Sequence, residues 1–180
     1  MLYITIPATE LWDERKQEFT YAKEQTLQLE HSLISLRKWE SKWCKPFLSK
    51  DRKTDTEILD YIQCMTLTPN VKPETYFRLT ADNIRDIEKY INAPMTATTF
   101  SKDKNTRHSR EIITAEIIYY WMFSLHIPLE CQKWHLNQLL TLIRVFNAKN
   151  TTQKKRNTRD TWRQYEALNA ARKKQLNSKG

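Results

Sequence analysis

The chain has 180 residues, 39% of them hydrophobic and 11% aromatic, and a formal charge of +9. That is apolar material for one domain with a core. A mean hydropathy of −0.74, with no apolar run near ~18 residues, excludes a membrane-spanning helix. The single glycine, at the last position, excludes the glycine-loop phosphate cradles of P-loop and dinucleotide folds, whose backbone positions only glycine reaches easily.

The opening MLYITIPATE has no basic segment leading into an apolar stretch, so no secretory leader is expected. LYITI alternates at period two and predicts a strand over 2–6, stopped by Pro7. ELWDERKQEFTY reads as a hairpin in which Trp12 and Phe19 flank a charged turn over 13–18. TLQLEHS then extends its second arm, giving a strand over 18–30. One amphipathic helix over 10–28 is the competing reading.

Helical signals follow. Ser32 is placed to cap LISLRKWESKW, which Pro46 ends, and Thr54 or Asp55 to cap TEILDYIQCMTL. Pro73 suits the first turn of PETYFRL, and Thr80 precedes ADNIRDIEKYI. MTATTF favours strand, so residues 95–100 are expected to join the N-terminal ones. The stretch 109–127 is apolar on nearly all faces and predicts a central core helix. Its antiparallel partner, 129–147, would turn Trp134, Leu136, Leu139, Leu140, Ile143 and Phe146 towards it. The expected fold is therefore α+β and mostly helical, a small β element packed on a helical bundle with a central antiparallel helix pair.

Charge is distributed unevenly. Residues 148–180 carry +8 of the total, leaving residues 1–147 near neutral at +1. The expected organisation is a globular body over 1–147 and a basic arm over 148–180. The arm holds one amphipathic helix, roughly 160–176, with a thin stripe of Trp162, Tyr165 and Leu168.

Three cysteines, Cys44, Cys64 and Cys131, are widely spaced and form no C-x-x-C pair, which suits reduced thiols of an intracellular protein. Cys131 and His135 lie four apart on a predicted helix, with His126 upstream, but zinc needs four converging ligands and the spacing matches no zinc-finger pattern. A small apolar cysteine and a core-edge histidine are the stronger reading. Asp and Glu are scattered as on solvated helix faces. Neither catalysis, a metal, a cofactor nor a small-molecule substrate is expected.

Two binding readings remain. Trp162, Arg163, Tyr165, Leu168, Arg172, Lys173 and Lys174 combine an apolar stripe with cationic flanks, which suits docking on a helix that carries acidic groups. Self-association through the same arm is a further partner expectation. Alternatively Lys102, Lys104, Arg107 and Arg110 of the 101–110 segment, with Lys154, Lys155, Arg156 and Arg159, would contact the phosphates of a nucleic acid.

The phrases TLQLEHSLISLRKWESKWCKPF, MTATTF, KWHLNQLLTLIRVFN and ALNAARKKQLNSKG resemble small proteins of tailed phages and prophages. In long-tailed phages these are taken to be tail assembly chaperones. The resemblance covers most of the chain, best over 27–48 and 95–180. It implies a non-enzymatic protein of the infected bacterial cytoplasm, absent from the finished particle. Such a protein binds and solubilises the long helical tape measure protein while the tail tube forms around it. The resemblance brings no catalytic or ligand residues.

Overall fold

In the computed structural model, which describes residues 1–13, 17–100, 112–150 and 158–176, the chain opens with a long β-ribbon. Strand β1 (Leu2–Ile6) pairs antiparallel with β4 (Gln25–Leu29), and β2 (Thr9–Asp13) with β3 (Glu18–Ala22). Both ladders share one register: Leu2↔Leu29 to Ile6↔Gln25, then Thr9↔Ala22 to Asp13↔Glu18. The ribbon is interrupted only at Pro7–Ala8, opposite Lys23–Glu24, where proline has no N–H to donate. Alternation puts Ile4, Ile6, Leu27 and Leu29 inward, all buried.

The hairpin reading of 10–28 holds, with two corrections. The arm over 18–30 is two strands broken at 23–24, and TLQLE continues the arm by pairing with β1 in the same register. The gap between β2 and β3 is also narrower than 13–18, because Asp13 and Glu18 are themselves a ladder pair. Residues 95–100 form no strand. The free edge of β4 is taken by the segment after the second helix: Leu67 N donates to Gln28 O at 2.8 Å, and Leu29 bridges to Thr66. On the other side, β1 lies against the third helix, where Asn83 donates to Thr5 O.

Helix α1 (Leu33–Trp43) starts at a Ser32–Ser35 capping box, α2 (Asp55–Met65) at a Thr54–Glu57 box and α3 (Ala81–Asn92) at a Thr80–Asn83 box. Pro73 opens a 3-10 segment, Pro73–Arg78. The main core joins the inward face of β1 and β4 to Trp39, Tyr61, Ile62, Met65, Tyr76 and Ile87. Trp39 donates to Glu57 O at 2.8 Å, Trp43 to Asp60 at 2.8 Å and Lys45 to Glu57 at 2.7 Å, which latches α1 to α2.

Helix α4 (Ala115–Ser124) begins later than the expected 109, and 109–111 lie outside the described residues. It is not wrapped by core: Ala115, Ile118 and Met122 are buried, but Tyr120 and Phe123 are exposed. It packs on α1. The expected helix over 129–147 is divided into a 3-10 segment (Leu129–Lys133) and α5 (Leu136–Asn150), separated at Trp134, whose backbone is extended. Leu136, Leu139 and Ile143 are buried, but the main helix against α4 is α1, not the expected antiparallel partner, and Trp134 is exposed. Contacts divide the chain into two units, Met1–Ile143 and Arg144–Gly180, and α5 runs through the boundary. The second unit ends in α6 (Thr158–Leu176). With two short β-ladders and a predominance of helix, the fold is α+β and mostly helical.

Candidate functional site

Helix α6 carries the expected partner-binding stripe. Trp162, Tyr165 and Leu168 fall at i, i+3 and i+6, and they are 65%, 62% and 54% exposed. Arg163 and Arg172 are exposed beside them. Over the whole helix five basic residues stand against two acidic ones. Lys173, Lys174 and Arg159 belong to α6, but their side chains lie outside the described residues. So do Lys102, Lys104, Arg107, Arg110, Lys154, Lys155 and Arg156 in their entirety.

Two other apolar surfaces lie outside the stretches that the sequence marks as sites. The overhanging half of the β-ribbon exposes Trp12, Phe19 and Tyr21. The shared register puts these three on the same ribbon face as Ile4, Ile6, Leu27 and Leu29, so the core face continues past the core. The Trp12 and Phe19 rings meet edge to face, centroids 5.0 Å apart. The second surface is a groove of about 420 Å³ between α2, the Pro73–Arg78 segment and α3. Ile58, Tyr76, Phe77 and Ile84 line it, and Asp55 and Glu88 are its charged lining residues. Phe77 is 76% exposed there. Periodicity marks such residues as apolar without saying whether anything covers them.

Inside the body, five buried or half-buried polar side chains converge where β4 leads into α1. Tyr61 Oη lies 2.6 Å from His31 Nδ1, and the His31 and His135 rings are 5.1 Å apart. His135 Nδ1 accepts from Asn137 N at 3.3 Å, which leaves Nε2 to carry the ring proton towards Tyr90 O at 3.1 Å. Tyr90 Oη donates to Glu30 at 2.7 Å, and Glu30 also pairs with the Met1 amine at 3.1 Å. Burial, with His135 adding to it, drives the His31 pKa down to about 3; burial also lowers that of His135. Burial pushes the Tyr61 phenol up. These are neutral, hydrogen-bonded rings that cross-link the β4–α1 junction, α2, α3 and the residue before α5.

Cys131 and His135 do not share a helix, because extended backbone at Trp134 ends the 3-10 segment and His135 precedes α5. Cys131 is buried and burial raises its thiol pKa. Among the described residues no group of three or more His, Cys, Asp or Glu is placed to hold a metal ion. Nor is any described helix long and apolar enough to cross a membrane. No family model matches this chain, and neither a curated protein nor a solved structure matches it.

Proposed function

We propose that the chain is a non-enzymatic tail assembly chaperone of a long-tailed phage, and that α6 holds an amphipathic stretch of the tape measure protein in the bacterial cytoplasm. The observation that carries this reading is the exposure of Trp162, Tyr165 and Leu168 on one helix together with the exposed Arg163 and Arg172. An aromatic and arginine surface is the composition that anchors protein interfaces. Its cations suit a partner helix bearing carboxylates, and many weak copies along one rod add through effective concentration. The resemblance of the sequence to such chaperones supports the same reading.

Co-expression with a fragment of a tape measure protein tests it. The fragment is expected to become soluble and to co-purify with the chain, and a W162A/Y165A/L168A variant to lose the complex. A fragment that stays insoluble, with no complex formed, would falsify the reading.

The concentration of +8 within residues 148–180 supports a second reading, a nucleic-acid-binding phage protein that regulates or inhibits host machinery. It requires affinity for an oligonucleotide that falls with salt, by about 0.9 log units per decade for each phosphate neutralised on duplex DNA. If no labelled oligonucleotide shifts at low salt, this second reading is removed.

A further inference from the structure

The groove between α2 and α3 has a chemistry that the basic arm matches. Its lining is largely apolar, with Ile58, Tyr76, Phe77 and Ile84 among it, and its charged lining residues, Asp55 and Glu88, are both acidic. Neither carboxylate takes part in an ion pair among the described residues. Ile58 and Phe77 are 39% and 76% exposed, so apolar surface that could be covered stands open at the rim.

We infer that this groove is the docking site for helix α6 of a second copy of the chain. The exposed stripe from Trp162 to Leu168 extends about 9 Å along the helix at ~1.5 Å per residue, a length that presents two aromatic rings to one concavity. Arg163 sits next to that stripe and Arg172 one turn beyond Leu168. Bound in the groove, the aromatic rings meet Ile58 and Phe77 while the guanidinium groups face Asp55 and Glu88. Charge selects this face. The groove's two charged lining residues are both acidic, whereas α6 has five basic residues against two acidic. Donor and acceptor are different surfaces of one chain, so reciprocal exchange between two copies closes a two-fold dimer. The stripe cannot hold a tape measure helix while it is docked here, so the two contacts are alternatives for one surface; the inference concerns the chain alone, and its test contains no other protein.

The experiment is sedimentation equilibrium of the full chain over a range of concentrations, at low and at high salt, with no other protein present. Reversible self-association that weakens with salt is expected. F77S alters only a surface side chain in the groove and W162A only one on the arm, and each is expected to weaken association by about tenfold or more. Charge reversal supplies the specific control. D55K/E88K and R163E/R172E are each expected to be monomeric alone and to form a mixed complex when combined. Circular dichroism checks that each variant retains its helix. The inference is overturned if the chain is monomeric at every concentration, which includes the case of an arm folded onto its own groove. It is equally overturned if the chain associates but F77S and W162A leave the association unchanged, or if the two charge-reversed variants fail to combine.

Discussion

Arg78 donates from its guanidinium to the carbonyl of Pro7, 71 residues away in sequence, at the interruption of the β-ribbon. The same nitrogen lies 3.0 Å from Lys23 O and 3.3 Å from Ala22 O on the opposite strand. The ladder loses its hydrogen bonds where Pro7 has none to give, and a single cation gathers the carbonyls left there. The side chain thereby ties both strands of the ribbon to the segment in front of α3.

Replacing Arg78 by Met keeps the aliphatic stem and removes the donors. A hydrogen bond from a charged group contributes about 1.5–3 kcal/mol, less where water competes. Because Arg78 is only half-buried, a loss of about 1–2 kcal/mol is expected. The effect should be local. Amide hydrogen exchange in β2 and β3 should accelerate while β1 and β4, held by the core, keep their protection. Unchanged exchange in the overhanging half would show that Arg78 does not hold the ribbon.

The paired rings of His31 and His135 give the fold a definite response to acid. Burial keeps the His31 pKa at about 3, far below the ~6.5 of an unfolded histidine, and lowers that of His135 as well. Between those values the unfolded chain binds protons that the folded chain refuses. Stability is therefore complete above pH ~6.5 and falls as pH drops towards 3, by about 1.4 kcal/mol per pH unit for each histidine that stays neutral. Urea unfolding from pH 7 to pH 4 should show this slope. H31N puts an amide near the position of Nδ1, where it can still meet Tyr61, and removes one titrating group. The variant should lose about one proton's worth of the slope, and an identical acid limb in H31N would exclude His31 as its source.

Much of the architecture is legible where the determinants are local. Ser32, Thr54 and Thr80 each precede an apolar period, and all three close capping boxes. Trp12 and Phe19 announce the hairpin because they face each other across it. The α6 stripe is visible from spacing alone. What periodicity does not reveal is whether an apolar face has anything to cover it. Tyr120 and Phe123 make α4 apolar all round and so resemble a core helix, yet they face outward. The long-range polar contacts leave no local trace either, since nothing near Arg78 points to Pro7. His31 likewise lies thirty residues from Tyr61.

Glu40 is the clearest such case. It sits on the buried side of α1 with one carboxylate oxygen 2.8 Å from Phe47 N and the other 2.7 Å from Ala115 N. Thr114, the residue before α4, forms no side-chain cap, so the first amide of that helix is satisfied by a carboxylate from another helix. Burial raises the pKa of Glu40 and the two N–H donors oppose that rise, so those contacts favour the charged form. In E40A both amides lose their acceptor, and Ala115 is fully buried. At about 1–3 kcal/mol for a buried group left unsatisfied, and less for the half-buried Phe47 amide, a loss of about 2–4 kcal/mol is expected. E40Q is nearly isosteric but offers one oxygen and turns an NH₂ towards the other donor, so it should lose stability too, by a smaller amount. Urea unfolding of the three proteins at one pH gives the comparison. A loss below about 0.5 kcal/mol in E40A, the scale of an ordinary surface substitution, would mean that α4 starts without this carboxylate.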